Sequence, residues 1–138
     1  MQSVFVFGTL KEGFPNFDRN KGERVSGVFT TVESYLLLLV GERYSPWLML
    51  SAGEGHPVVG QVFCVDDAAL AEMDELERIT QSDGYRRIEV EVVNLISGLK
   101  QMVWAYGKTP ENLLTADIRM VLEGDYLLEH AALYVSRD

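Results

Sequence analysis

The stretch VFVFGTLK, residues 4–11, determines how the fold begins. Its first four residues are apolar and favour β-structure, and such an uninterrupted run is typical of a strand buried on both faces. Gly8 ends the run, and the glycines and proline in residues 8–16 disfavour both helix and strand. The sequence therefore predicts an opening strand followed by a polar loop.

Further β-favouring stretches follow this loop at short intervals. Glycine and proline residues separate most of them, and the spacing is typical of a meandering sheet or barrel. The predicted strands cover residues 25–33, 35–40, 47–50, 58–65, 87–92 and 100–106. With few helices between them, these strands predict an α+β domain that has more strand than helix. Residues 1–138 are expected to form one domain, because this length fits a single core.

The strongest predicted helix covers residues 68–78. Asp66 and Asp67 precede it and are favourable N-cap residues. A short helix is predicted over residues 17–23, and a last one is predicted to begin at Pro110 and to continue to about residue 121.

The chain is acidic, with 21 acidic and 12 basic residues and a formal net charge of -9. Nucleic acid and anionic membranes are not expected as partners, because both favour clustered lysine and arginine. The single cysteine excludes an intrachain disulfide, and the soft ligands are too few for a zinc site. We therefore expect no bound metal. No segment resembles a signal peptide or a membrane span, so we expect a cytoplasmic protein. The oligomeric state stays open.

One acid of the predicted helix 68–78 lies close to its apolar face. At about 100° per residue, an apolar stripe is formed by Ala69, Leu70, Met73 and Leu76. Glu77 follows Met73 by four residues and lies along the edge of this stripe. The remaining charged residues of the helix are expected to face water; they are Glu72, Asp74, Glu75 and Arg78.

The position of Glu77 has two interpretations. A lone acid near a helix end commonly extends to water or pairs with a cation such as Arg86 or Arg87. A desolvated carboxylate has a raised pKa instead, as a general base at neutral pH requires. Helical periodicity does not distinguish these interpretations.

Three groups of segments form an ordered pattern: residues 4–11 with Gly13, Pro15 and Asn16, then residues 46–48 and 60–66, and then residues 73–77 and 84–87. In this order they resemble the γ-glutamyl cyclotransferase superfamily, in particular its γ-glutamylamine cyclotransferase branch with the AIG2-like plant relatives. The first group is similar to the family's first strand and loop, the second to its middle strands. The third is similar to the helix that ends in the catalytic glutamate and the strand entrance that follows.

The resemblance implies a small mixed β-barrel with flanking helices and a cavity at its mouth. It also implies an enzyme without a cofactor, which releases 5-oxoproline and a free amine from a small-molecule γ-glutamyl substrate. The leaving amine is not specified. The resemblance fades after about Gly107, and residues 123–138 carry no clear pattern of their own.

The resemblance also implies the substrate-binding residues. Main-chain groups of the first loop would hold the glutamyl part of the substrate; they carry over to Phe7, Gly8, Thr9 and Leu10. Glycine suits this task because it allows a ligand to approach the backbone closely. Tyr85 carries over as a cavity wall or hydroxyl donor, and packing in the core explains it equally well.

Glu77 carries over as the acid-base residue, in agreement with its place beside the apolar stripe. Phe7 departs from the family, which usually has tyrosine there, so a hydroxyl role is lost while a main-chain role is retained. This departure leaves open a non-catalytic member of the same fold that binds a small ligand. A second alternative is a structural or interaction protein, in which Glu77 pairs with Arg86 or Arg87.

Overall fold

The computed structural model describes residues 1–136, so the last two residues of the expected domain lie outside the described part. The strands are β1 (Gln2–Val6), β2 (Glu23–Arg24), β3 (Phe29–Tyr35), β4 (Leu37–Val40), β5 (Ser45–Leu48), β6 (His56–Val65), β7 (Arg86–Asn94), β8 (Lys100–Gly107) and β9 (Ile118–Leu122). The α-helices are α1 (Asp67–Leu76) and α2 (Leu128–Ala131), and two 3₁₀ helices cover Phe17–Arg19 and Pro110–Thr115. The predicted α+β class is confirmed.

Five strands pair with one another in a closed ring. β1 pairs with β8 in parallel, and β8 continues antiparallel through β7 and β3 to β6. β6 then pairs antiparallel with β1, while β2 adds to β6. A ring that contains both parallel and antiparallel pairs is the arrangement expected of a small mixed barrel.

A second sheet has the strand order β5-β4-β9. The helix predicted from Pro110 to about residue 121 is wrong beyond Thr115, because residues 118–122 form β9. β4 is buried along its whole length, and pairing with β9 satisfies its second edge, with Leu37 opposite Leu122. Tertiary pairing therefore overrides the local helical preference of this segment.

The two faces of β1 explain why its sequence is apolar throughout. Side chains alternate across a strand, so Val4 and Val6 pack in one core cluster together with Met73 of α1. Phe5 and Phe7 belong to the other core cluster, which contains residues of the ring and of the second sheet. The prediction of a strand buried on both faces is confirmed.

α1 begins and ends close to the predicted positions. The Asp66 side chain caps its start by accepting a hydrogen bond from Ala69 N at 2.7 Å. Ala69 and Met73 of the predicted stripe are buried, and the helix ends at Leu76 with Glu77 as its C-cap. None of the helices in residues 1–136 combines the length and apolar character that crossing a bilayer requires.

Candidate active site

A cavity of about 150 Å³ opens where the loop after β1 meets the end of α1. Its wall includes every residue that the resemblance assigned to the site, namely Phe7, Gly8, Thr9, Leu10, Glu77 and Tyr85. The structure therefore brings together residues that lie more than 60 positions apart in the chain. Sequence reasoning did not assign further wall residues, among them Asn16, Arg43, Tyr106 and Tyr134.

The loop after β1 uses its carbonyl groups inside the protein and leaves its amides unused. The N–H groups of Gly8, Thr9 and Leu10 donate to no acceptor within residues 1–136. Gly8 and Leu10 are buried, and buried amides normally have a partner. The three carbonyls accept hydrogen bonds: Gly8 O from Lys11 N at 3.1 Å, Thr9 O from Asn16 N at 2.8 Å, and Leu10 O from Asn20 Nδ2 at 3.1 Å. The loop thus offers three donors to a ligand.

Pro46 of β5 closes the cavity beside Gly8. A Cβ atom on Gly8 would lie 2.8 Å from Cγ of Pro46, so only glycine fits without moving the proline ring. The Tyr85 hydroxyl donates to Pro46 O at 3.0 Å. Tyr85 therefore fixes this wall through its hydroxyl, and its substrate-binding role stays a prediction.

A buried lysine fastens the loop to the C-terminal part of the chain. Lys11 is 6% exposed, and its Nζ atom donates to Tyr126 O at 2.6 Å. Nζ also lies 3.7 Å from the Asp125 carboxylate and 4.3 Å from the centre of the Phe14 ring. Burial lowers the pKa of Lys11, and the charge of Asp125 opposes that shift in part. The lysine therefore serves as a structural cross-link.

Asn16 makes the second long-range connection of the loop. Its Nδ2 atom donates to Thr9 Oγ1 at 2.9 Å and to Tyr134 Oη at 3.2 Å. Tyr134 also lines the cavity. The segment after Gly107, for which the resemblance gave no prediction, therefore supplies one wall of the site.

The end of α1 places Glu77 through a Schellman motif. Arg78 N bonds to Glu75 O at 3.1 Å, and Ile79 N bonds to Asp74 O at 3.2 Å. Arg78 occupies the position that glycine usually takes in this motif, with φ of 56°. A non-glycine residue in this left-handed region is strained, and such strain often lies at functional sites. Glu77 is thus held directly before a fixed reversal of the chain.

Gly84 packs against that reversal. A Cβ atom on Gly84 would lie 1.7 Å from Arg78 O, so no side chain fits between the two backbones. Tyr85 N donates to Glu77 O at 2.9 Å, which holds the main chain of Glu77 from the same side. The Arg78 side chain also pairs with Asp83 at 3.1 Å. The backbone around Glu77 is therefore fixed independently of its side chain.

Asp74 forms a polar network next to Glu77. Tyr106 Oη donates to Asp74 Oδ1 at 2.6 Å, and an Arg87 Nη atom lies 3.1 Å from Asp74 Oδ2. Burial raises the pKa of Tyr106, and Asp74 and the nearby charge of Glu77 shift it in the same direction. The expectation that Asp74 faces water is wrong, because the helix packs against the strand that carries Tyr106. The ion pair that Arg87 makes is with Asp74.

The sequence profile of the family described as "Gamma-glutamyl cyclotransferase, AIG2-like" matches residues 4–128. The protein named Gamma-glutamylaminecyclotransferase from Mus musculus is 40% identical over 82 residues, 56% of this chain and 55% of that protein. Gamma-glutamylaminecyclotransferase B from Danio rerio is 36% identical over 100 residues, 67% of this chain and 51% of that protein. The aligned stretches thus span about half the length of these relatives.

Two solved structures share the fold over nearly the whole chain. The crystal structure of an AIG2-like protein from Mus musculus has a TM-score of 0.78 at 30% identity and covers 100% of this chain and 97% of its own. An uncharacterized protein from Pyrococcus horikoshii has a TM-score of 0.61 at 26% identity, covering 96% of this chain and 98% of its own.

Proposed function

The chain belongs to the AIG2-like γ-glutamyl cyclotransferase family, and from this we propose that it converts a γ-glutamyl amine into 5-oxoproline and a free amine. The α-amino nitrogen of the substrate attacks its own γ-carbonyl carbon, which forms the C–N bond of a five-membered lactam. The bond between that carbon and the leaving nitrogen breaks, and the leaving nitrogen takes up a proton. This reaction needs no cofactor.

One observation carries this proposal: three unused amides and one carboxylate lie on the wall of the same cavity. The N–H groups of Gly8, Thr9 and Leu10 suit an anionic or carbonyl oxygen, such as those of the glutamyl group. Glu77 comes from the opposite element, at the end of α1. A substrate held by the amides would therefore have its reacting end beside a carboxylate.

Holding the substrate folded is the main task of such a site. The nucleophile and the carbonyl belong to one molecule, and well-oriented intramolecular reactions reach effective molarities of about 10⁵ M or more. The unused amides of residues 8–10 would fix the glutamyl group in that folded shape. Phe7, in place of the usual tyrosine, is compatible with this role because the donors belong to the main chain.

Glu77 would move the proton. An ammonium group of pKa about 8 gives its proton to a free glutamate of pKa about 4.3 only at a cost of roughly 5 kcal/mol. A carboxylate with a pKa nearer to that of the amine reduces this cost. In this proposal Glu77 accepts the ammonium proton first and returns it to the leaving amine, acting as base and then as acid.

The test is to incubate the protein with γ-glutamyl amines and to measure the 5-oxoproline released. Replacement Glu77→Gln keeps the shape of the side chain but removes its ability to accept a proton. We expect kcat to fall by about 10²–10⁴, the range typical of acid-base groups. The melting temperature should hold, because a neutral amide replaces a half-buried carboxylate.

Glu75→Gln is the matched control. Glu75 is an exposed acid on the same helix, two residues away and outside the cavity wall. Its replacement should change neither turnover nor melting temperature appreciably. Equal losses of activity in both variants, or near-wild-type turnover in Glu77→Gln, would contradict the role of Glu77.

The departure at Phe7 favours a second candidate, a member of the fold that binds a small ligand without turning it over. Phe7 is buried on the cavity wall, where the family usually carries a hydroxyl. A rise in melting temperature with 5-oxoproline, without product release from any γ-glutamyl amine, would identify this candidate.

A further inference from the structure

A second buried lysine supports the part of the cavity wall that Tyr85 and Pro46 form. Lys108 follows the last residue of β8 and is 3% exposed. Its Nζ atom donates to Asp83 O at 2.7 Å and to Gly84 O at 3.1 Å. Burying an ammonium group is costly unless the group is hydrogen-bonded. These two carbonyls therefore hold the lysine in a defined place, directly before Tyr85 in the chain.

The main chain of Lys108 is anchored to β5 and to the residues that follow it. Lys108 N donates to Leu48 O at 2.8 Å, and Leu50 N donates to Lys108 O at 2.8 Å. β5 also carries Pro46 and Trp47. Backbone hydrogen bonds thus fix the starting point of the lysine side chain relative to the strand that supplies Pro46 to the cavity wall.

Two aromatic rings lie next to the ammonium group. The Lys108 Nζ atom is 4.5 Å from the centre of the Tyr85 ring and 4.7 Å from the centre of the Trp47 ring. A cation attracts the face of an aromatic ring, and this attraction is strongest where water is excluded. Lys108 is not among the described residues of the cavity wall, but it holds in place the Tyr85 ring, which is.

The contacts of Tyr85 continue to the loop of residues 8–10. The Tyr85 hydroxyl donates to Pro46 O at 3.0 Å. The Pro46 ring lies so close to Gly8 that a Cβ atom on the glycine would be 2.8 Å from Cγ of the proline. An unbroken row of contacts therefore runs from Lys108 through Tyr85 and Pro46 to the loop. A shift at the lysine end would change the space between Pro46 and the loop amides.

We propose that Lys108 is a positioning residue for substrate binding. It holds Tyr85, and through it Pro46, so that the space beside the loop amides keeps the width that the glutamyl group needs. Lys108 itself does not touch the substrate. This inference rests on the proposed function, in which residues 8–10 bind the glutamyl part. Loss of the ammonium group should weaken binding more than it slows the chemical step, because the end of α1 holds Glu77.

Replacement Lys108→Met tests this inference, because it keeps the length of the side chain and removes the ammonium group. We expect KM for a γ-glutamyl amine to rise about tenfold or more, the usual effect of losing hydrogen bonds to a charged group, with a smaller change in kcat. Kd for 5-oxoproline, measured by calorimetry, should rise as well. Lys100→Met is the matched control: this lysine is exposed on the same strand, outside the described cavity wall, and all three constants should stay unchanged.

A double-mutant cycle distinguishes positioning from a purely structural role. Tyr85→Phe keeps the ring next to Lys108 but removes the hydroxyl that binds Pro46 O, so KM should rise here too. If both residues act through one row of contacts, Tyr85→Phe adds little to the KM of Lys108→Met. Lys108→Arg keeps the charge but not the shape, so its KM should lie between those of the wild type and Lys108→Met. It replaces Lys108→Met in the cycle if that variant does not fold.

Two results would overturn the role of Lys108 while the proposed function stands. A lowered melting temperature with unchanged KM and Kd would show that the lysine serves only the stability of the fold. Rises in KM that multiply in the double variant would show that Tyr85 acts independently of Lys108. If the wild type releases 5-oxoproline from no γ-glutamyl amine, the proposed function fails, and Kd for 5-oxoproline decides on Lys108. An equal Kd in the wild type and Lys108→Met, or no binding by the wild type, then overturns its role.

Discussion

The two walls of the cavity are built in opposite ways. The loop wall, residues 8–10, presents main-chain amides. Lys11 and Asn16 hold the loop by donating to Tyr126 O and Tyr134 Oη, more than 100 positions away. The helix-end wall presents the side chain of Glu77, and its backbone is held by neighbours in residues 74–85. The loop wall thus depends on distant tertiary contacts, whereas the helix-end wall depends on how one helix ends.

This difference indicates which changes each wall tolerates. A wall of amides depends little on its own side chains, apart from Gly8, where a Cβ atom would meet Pro46. It is sensitive to the contacts that shape the loop. The helix-end wall is sensitive to its one acid and to the close packing of the backbone behind it.

The largest effect on stability is expected from Gly84→Ala, which disturbs the backbone packing behind the helix-end wall. Its Cβ atom would lie 1.7 Å from Arg78 O, and backbone atoms cannot yield as a flexible side chain does. We expect a loss of about 3 kcal/mol or more in the free energy of unfolding. Denaturant titration measures this, with exposed Ser82→Ala as the control. A loss as small as that of the control would show that the two backbones can separate.

The next effect concerns the loop wall and its buried lysine. Lys11→Met keeps the length of the side chain but leaves Tyr126 O without its donor, which should cost about 1–3 kcal/mol. KM for the substrate should also rise, because the loop loses its cross-link. Unchanged KM together with lowered stability would show that the loop keeps its shape without the lysine.

The same variant has an expected dependence on pH. Burial lowers the pKa of Lys11 below 10.5 in the folded protein. At pH values between this lowered pKa and 10.5, the unfolded chain therefore binds more protons than the folded protein. Wild-type stability therefore gains from this group as the pH rises towards 10.5, and Lys11→Met lacks the gain. The difference in free energy of unfolding between the two proteins should widen over that range, as titrations at several pH values can show.

The smallest effect is expected from Arg78→Gly, which relieves the strained position next to Glu77. Glycine adopts the left-handed conformation without the penalty of about 1 kcal/mol or more that arginine carries. The exposed ion pair with Asp83 is worth less than that. Stability should therefore hold or rise slightly. Arg78→Ala, which removes the ion pair without relieving the backbone, should not gain; an equal gain would assign the effect to the charge.

The sequence predicted those features that depend on local pattern. The apolar run at residues 4–7 gave β1 with both faces buried, and the stripe along residues 69–76 gave the orientation of α1 and the side on which Glu77 lies. Features that depend on distant partners were missed. Asp74 was expected to face water, and its contact was missed because its partner Tyr106 follows 32 positions later.

The same reason explains why β9 was predicted as part of a helix. Residues 118–122 form a strand because they pair with β4, some 80 residues earlier in the chain. The roles of Lys11 and Tyr134 were equally hidden, because neither residue type at its position indicates a contact across the whole chain.

The contacts from Lys11 and Asn16 to residues 126 and 134 can form only after the ribosome has added more than 100 further residues. β1 likewise pairs with β6 and β8, so its pairing waits for strands that are synthesised later. Contacts of such high sequence separation slow folding and leave apolar strands uncovered meanwhile. In a nascent chain the loop after β1 therefore lacks both of these contacts until translation has passed Tyr134.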